Sequence, residues 1–123
     1  MAISGPLGEF IRGAFPSVWT LELLMLMRNE PDRAWSREEL VDKLRGSEHI
    51  VEQGAAALVA GGLIATEEGG RVRYAPATPE IARLVDEAIR QYGKRPDAVR
   101  RTIVFAGSTS LQAFSEAFKL RGD

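Results

Sequence analysis

The sequence predicts a mainly α-helical chain with one small β-hairpin, and three observations lead to this prediction. Apolar residues recur at helical spacing through most of the 123 residues. The pair Gly69-Gly70 stands between two short β-type segments, as in a tight hairpin turn. Four apolar-periodic segments follow a residue that can cap a helix N-terminus, namely Ser17, Ser36, Ser47 and Thr78.

The N-terminal third predicts an arm, residues 1–16, and a central helix. In the arm, apolar residues recur at helical spacing between positions 6 and 15 and predict a short helix. Ser17 caps the second helix, which runs to about Arg28 and is apolar on most sides. Such a helix is usually central to its domain.

The segment from Trp35 to Leu40 carries the best local signal. Ser36 and Glu39 have the spacing of a capping box, while Trp35 and Leu40 have that of a hydrophobic staple. We expect this helix to end at Gly46 with a C-terminal glycine.

The next predicted helix, residues 47–60, begins directly at Ser47. Gly54 lies in its middle, where glycine costs about 0.5–1 kcal/mol relative to alanine. We expect a neighbouring helix to approach closely at this glycine.

Residues 63–75 predict a hairpin with a two-residue turn at Gly69-Gly70. That turn sets Glu68 opposite Arg71 and Thr66 opposite Arg73. A mostly buried face then carries four side chains, those of Ala65, Glu67, Val72 and Tyr74.

Residues 78–123 predict C-terminal helices. The sequence Thr78-Pro79-Glu80 is a strong helix start, and the helix extends to about Gly93. Its apolar stripe is either intramolecular core or a homodimer seam, and consists of Ile81, Leu84, Val85, Ala88 and Tyr92. A further helix begins at Pro96, and after a break at 106–110 a last amphipathic helix covers 111–118.

Composition excludes several function classes. There is no cysteine and a single histidine, His49, so thiolate chemistry and multi-histidine metal sites are absent from one chain. No dinucleotide fingerprint, P-loop or convergent carboxylate pair is visible. We therefore expect neither an enzyme nor a bound cofactor or metal. Lacking a 20-residue apolar stretch or a signal-like N-terminus, the chain is expected to be cytoplasmic, with no membrane partner.

The order of helix, capped helix, helix and glycine-tipped hairpin over residues 17–77 resembles a winged helix-turn-helix. The run Leu58-Val59-Ala60-Gly61-Gly62-Leu63-Ile64 resembles the entry to the wing in MarR-like and ArsR-like bacterial regulators. The outer segments, including residues 111–118, are similar to those of small proteobacterial proteins, a likeness that implies no function.

The resemblance implies that helix 47–60 enters the major groove of duplex DNA and that the wing, residues 65–75, touches the backbone. By position, the DNA-contacting residues would be Arg45, Ser47, His49, Gln53, Arg71 and Arg73. The charge of this region does not favour binding to DNA phosphates, because residues 36–64 hold three basic and five acidic side chains. Residues 78–123 hold eight basic and six acidic side chains.

Two functions therefore remain open. The first is a homodimeric transcriptional regulator that binds double-stranded DNA. The second is a winged helix that binds a protein partner without contacting DNA. The tract Arg90, Lys94, Arg95, Arg100 and Arg101 is the most basic part of the chain and is either a solvated helix junction or a site for nucleic acid or an acidic partner.

Overall fold

A computed structural model of the chain describes residues 3–103. These residues are mainly helical and include one small antiparallel sheet. The elements are α1 (Gly5–Ala14), α2 (Val18–Asn29), α3 (Arg37–Leu44), α4 (Glu48–Ala60), β1 (Ile64–Thr66), β2 (Val72–Tyr74) and α5 (Pro79–Lys94). Residues 96–103 are also helical. The predicted break at 106–110 and the predicted helix at 111–118 lie outside the described residues.

All four predicted capping residues cap helices. The hydroxyl oxygens of Ser17, Ser47 and Thr78 each accept a hydrogen bond from a backbone N–H three residues further on, at 3.1–3.3 Å. The capping box is also confirmed: the Glu39 N–H donates to Ser36 Oγ at 3.2 Å, and the Ser36 N–H donates to Glu39 Oε1 at 2.8 Å. Local sequence therefore sets where these helices begin.

The end of α3 differs from the prediction. The left-handed residue is Arg45, with φ 58° and ψ 31°, and its N–H donates to the Val41 carbonyl at 2.9 Å. Gly46 is not in that conformation. The helix thus ends one residue earlier than its glycine suggested, although a Cβ makes the left-handed conformation costly for arginine.

The predicted central position of α2 is confirmed. This helix packs against α3, α4 and β2, and five of its residues are buried. The close approach expected at Gly54 is also observed: a Cβ there would lie 3.1 Å from Leu23 Cδ2 and 3.6 Å from Thr20 Oγ1. The absence of a side chain at Gly54 therefore lets α4 approach α2 closely.

The predicted hairpin register is wrong by one residue. Ile64 pairs with Tyr74, Ala65 with Arg73, and Thr66 with Val72. The connection is a three-residue 3-10 turn, Glu68–Gly70, in which both glycines have φ 80°. The extra loop residue shifts the pairing, so Ala65 leaves the predicted face and Ile64 joins Val72 and Tyr74 on it.

A third segment joins the hairpin at Trp35. The Trp35 N–H donates to the Val72 carbonyl at 2.7 Å, and the Val72 N–H donates to the Trp35 carbonyl at 2.9 Å. Val72 is thus paired on both sides, by Thr66 and by Trp35. The sequence predicts only the staple role of Trp35, because one bridging residue leaves no strand pattern.

The flanking helices pack against one another and contribute to the same hydrophobic core as residues 17–77. Helix α1 packs against α5, and the Ile3 N–H donates to Thr102 Oγ1 at 2.7 Å in the interior. The Thr102 hydroxyl in turn donates to the Ala98 carbonyl at 2.8 Å. The N-terminal segment is therefore tied to helical residues 96–103.

Within residues 3–103, no single helix has the length and apolar composition to cross a bilayer; α1 and α2 together meet those two criteria, with a bend of 96° between them.

Candidate nucleic-acid interface

The exposed face of α4 has an uncharged centre and an acidic edge. With 3.6 residues per turn, His49, Gln53 and Ala56 cluster opposite the buried residues Val51 and Leu58, and all three are exposed. Glu52 lies towards α3, where its Oε1 accepts a hydrogen bond from Arg37 Nη1 at 2.7 Å. The centre of the face can thus contact a partner through uncharged side chains, because the Glu52 carboxylate lies to one side.

Two predicted contact residues lie at the start of α4. Ser47 is exposed, and its Oγ accepts the Ile50 N–H at 3.1 Å while its own hydroxyl hydrogen remains available. Arg45, two residues earlier, is also exposed. No carboxylate in residues 3–103 lies within 4.0 Å of its guanidinium. Arg45 therefore presents an unneutralised charge beside α4.

Gln53 also borders a groove between α2 and α4. The groove has a volume of about 230 Å³ and is lined by Pro16, Ser17, Trp19, Thr20, Ile50, Gln53 and Gly54. Trp19 is 40% exposed, a large apolar side chain at the surface. Trp19 carries no distinguishing signal in the sequence, because it lies in an apolar run in which most residues are buried.

Arg71 is held by α3 rather than by its own hairpin. Its Nη1 lies 3.2 Å from Glu39 Oε1 and 3.5 Å from the Ala34 carbonyl oxygen. The second oxygen of Glu39 accepts from Arg33 Nη2 at 2.9 Å, and the Arg33 guanidinium lies 3.6 Å from the centre of the Trp35 ring. The predicted pairing of Arg71 with Glu68 is wrong, because the three-residue turn removes that register.

The hydrogen bonds at Glu39 lower the pKa of its carboxyl from 4.5 to about 2. The largest cause is the hydrogen bond from the Ser36 backbone N–H, followed by the hydrogen bond from the Arg33 side chain. One carboxylate therefore links the start of α3, the segment before it and the hairpin.

Arg73 faces solvent on β2 and forms an ion pair with Glu67, with Nη2 and Oε2 2.8 Å apart. In the observed register it lies opposite Ala65 rather than Thr66. Its side chain is 44% exposed and that of Glu67 is 33% exposed, so water screens the pair. The Arg73 charge is thus present but already neutralised.

The hairpin tip, α3 and α4 meet at the molecular surface. Gly70, Arg37 and Ala55 line a shared cleft of about 20 Å³. Across this surface Arg37, Arg71 and Arg73 are each paired with a glutamate, whereas Arg45 has no such partner among the described residues. The structure thus leaves the predicted residues exposed but pairs several of the nearby arginines with glutamates, and the sequence pattern did not reveal these pairings, such as that of Arg37 with Glu52, 15 positions away.

The predicted dimer stripe divides into two groups. Val85 and Ala88 are fully buried inside the monomer, so neither is available to a partner subunit. Ile81, Leu84 and Tyr92 are half-buried. A homodimer seam on α5 would therefore use these last three residues.

Among the described residues, no three histidine, cysteine or acidic side chains are grouped so as to hold a metal ion. Comparisons with protein-family models, with curated proteins and with solved structures gave no match to this chain.

Proposed function

We propose that residues 17–77 form a winged helix-turn-helix that binds duplex DNA, and that the chain regulates transcription as a homodimer. The observation that carries this proposal is the order of elements together with the Trp35–Val72 pairing. A helix, a bridging strand residue, two helices and a hairpin follow one another, and the bridge joins the hairpin to the segment before α3. A winged helix is expected to have this order of elements and this bridge.

In this proposal α4 enters the major groove. His49 and Gln53 lie at the centre of its exposed face, and a glutamine amide can pair with the edge of adenine. Ser47 and Arg45 precede them and would contact phosphates, which position a protein on DNA without reading its sequence.

The hairpin arginines would exchange partners on binding. Exposed ion pairs typically contribute about 0–1 kcal/mol, so a DNA phosphate can replace Glu67 at Arg73 at little cost. Arg71 exchanges its partner less readily, because that partner, Glu39, is held in place by the capping box. We therefore assign the main wing contact to Arg73 and a weaker one to Arg71.

The test is fluorescence anisotropy with genomic fragments, including the promoter of the gene itself, at two salt concentrations. We expect one fragment to bind at micromolar protein or below, with affinity falling as salt rises. Absence of specific, salt-sensitive binding at micromolar protein would contradict the proposal.

Two substitutions at Arg73 and its partner make the test sharper because they act in opposite directions. Arg73→Ala should weaken binding and reduce the salt slope by about 1. Glu67→Gln should strengthen binding, since it releases Arg73 and removes a negative charge. If both variants bind as the parent protein does, Arg73 is not a DNA contact.

Arg45→Gly separates binding from stability. Glycine adopts the left-handed conformation without the steric cost of a Cβ, so this variant should unfold at the same temperature or a higher one. Weaker DNA binding by a variant of undiminished stability would be due to the lost cation.

A second candidate function is binding of a protein partner at the groove between α2 and α4. The observation favouring it is the exposed Trp19 beside a shallow groove, since tryptophan often dominates the energetics of protein interfaces. Trp19→Ala discriminates between the candidates. It should leave DNA affinity within twofold if α4 and Arg73 bind DNA, and it should abolish binding of a protein partner at the groove.

A further inference from the structure

We propose that the protein has a second phosphate-binding surface, which we term the basic junction and which consists of Arg90, Lys94, Arg95, Arg100 and Arg101. This surface would grip the backbone of the duplex whose sequence α4 reads, and the inference rests on the DNA binding proposed above. The basic junction lies where α5 ends at Lys94 and helical residues 96–103 begin.

Charge density is the first argument. Residues 90–101 contain five cationic side chains and one carboxylate, Asp97, giving a net charge of +4 in a chain whose net charge is −1. All five cationic residues are exposed. Because duplex DNA carries a negative charge about every 1.7 Å along its axis, a cluster of this kind is where it gains most from counterion release.

Contacts within the junction orient two of its arginines. The Arg100 guanidinium lies 5.6 Å from the centre of the Tyr92 ring, so residues 96–103 reach back to α5. Arg95 donates from Nε and Nη2 to Gln91 Oε1, at 3.2 and 3.1 Å. These partners are neutral, so they orient the guanidinium groups without removing their charge.

The ion pairs in the junction are local and incomplete. Arg90 pairs with Glu87, and Arg100 pairs with Asp97 at 3.4 Å, each three residues away on the same helix. Within residues 3–103, no carboxylate lies within 4.0 Å of Lys94, Arg95 or Arg101. By contrast, Arg37, Arg71 and Arg73 each form an ion pair with a glutamate. The junction therefore concentrates cations that are unpaired among the described residues, whereas Arg37, Arg71 and Arg73 on the α4 and hairpin surface are paired.

Phosphate is the anion that these groups suit best. Four of the five cations are arginines, whose planar fork binds phosphate oxygens in pairs. The amide of Gln91 is already engaged by Arg95 and Glu87, so it is not free to read a base edge, and the junction should add affinity without sequence preference.

The experiment compares the full-length protein with Lys94→Gln/Arg95→Gln/Arg101→Gln, using a 30-base-pair duplex of the best-bound genomic fragment and a scrambled duplex. We expect the triple variant to bind both duplexes at least tenfold more weakly at about 100 mM salt, with a salt slope smaller by about 2–3. The ratio between the two affinities should be unchanged. Gln53→Ala should do the reverse, by lowering that ratio and leaving the salt slope intact.

Two controls address charge and folding. Arg83→Gln removes a cation from the exposed side of α5, about 18 Å from Arg95 along the helix, and should change affinity less than twofold. Lys94→Arg/Arg95→Lys/Arg101→Lys retains the charges and should restore binding. Thermal unfolding should be the same for all variants, since the altered side chains are exposed.

The outcomes separate this proposal from the proposed function. If the parent protein binds both duplexes equally and the triple variant binds neither, the junction is supported and sequence reading by α4 is contradicted. If the triple variant binds as the parent does, the junction proposal is overturned while the proposed function stands. If the parent binds no duplex, both are overturned. Anionic phosphatidylserine vesicles form a further arm, and loss of vesicle binding with unchanged DNA binding would also overturn it.

Discussion

Ion pairs in two units of this chain differ in how far apart the paired residues lie in the sequence. In the helix–hairpin unit, residues 17–77, Arg37 and Arg71 hold carboxylates from other secondary-structure elements. In the flanking unit, comprising α1, α5 and residues 96–103, Arg90 and Arg100 pair one turn away on their own helix. Pairs of the first kind join elements that are distant in sequence, as does the Arg28–Asp86 pair between α2 and α5, whereas pairs of the second kind stay within one helix.

The two units also differ in what holds them together. The helix–hairpin unit has Trp35 at its centre, fully buried, paired through its backbone with Val72 and covered by the Arg33 guanidinium. The flanking unit is tied by the hydrogen bond from the Ile3 N–H to Thr102 Oγ1, beside the tight packing of Ile3 on Gly8. Both units bury large apolar side chains, such as Leu58 in the first and Ile11 in the second, but the second also depends on close backbone packing at Gly8.

The largest expected effect is at Trp35. Trp35→Ala should lower the free energy of unfolding by about 3–5 kcal/mol, because it leaves a cavity where α3, the hairpin and the core meet. Trp35→Phe should cost clearly less, since a ring still fills much of the site. It also removes an indole N–H that is buried without a partner among the described residues. Urea unfolding measures both, and equal losses would show that Trp35 does not act through packing.

An intermediate effect is expected at Gly8 in the flanking unit. A Cβ at this position would lie 2.2 Å from the Ile3 carbonyl oxygen, a backbone atom that can move only with its segment. Gly8→Ala should therefore cost about 1–3 kcal/mol despite the better helix propensity of alanine. It should also speed hydrogen exchange at the Ile3 amide, whose bond to Thr102 would break.

Gly13→Ala is the matched control on the same helix. A Cβ there meets no atom within 4 Å, so the substitution should stabilise the protein by about 0.5–1 kcal/mol. If the two variants unfold alike, the tie between the N-terminal segment and residues 96–103 does not depend on close packing at Gly8.

The smallest effect is the pH dependence that arises from Glu39. Its folded-state pKa of about 2 lies below the ordinary value of 4.5, so between these values the unfolded chain binds more protons than the folded one. Its contribution to stability is therefore present above about pH 4.5 and is lost as the pH falls towards 2. Glu39→Gln should flatten this part of the stability curve while retaining an acceptor for the Ser36 N–H.

Thermal unfolding between pH 2 and pH 6 measures the effect at Glu39. Glu38→Gln, an exposed change on the same helix, controls for the loss of one negative charge. An identical pH dependence in the parent and Glu39→Gln proteins would show that the hydrogen bonds at Glu39 do not favour its charged form.

Much of the fold was predictable because its signals are local. Ser36 and Glu39 form a capping box from a four-residue pattern, and Gly54 marked a close helix approach from its position alone. The hairpin was predictable as an element but not in register, since Gly69-Gly70 fits both a two-residue turn and the three-residue turn observed. The Trp35 bridge and the left-handed Arg45 had no local signature.

The candidate interface was predictable in its residues but not in its electrostatics. Arg45, Ser47, His49 and Gln53 do lie exposed around the start of α4. That Arg71 holds Glu39, and that Arg37 neutralises Glu52, depends on side chains 32 and 15 positions apart. Such pairs follow from how the helices pack, which spacing along the chain does not reveal.

The sequence by itself determined the helix starts, the presence of a hairpin and the basic tract at residues 90–101, because capping, turn chemistry and local charge act over a few residues. The tertiary structure alone decided the hairpin register, the third pairing at Trp35 and which cations are neutralised. Those features depend on contacts between distant segments, whose geometry is fixed only when the core is packed.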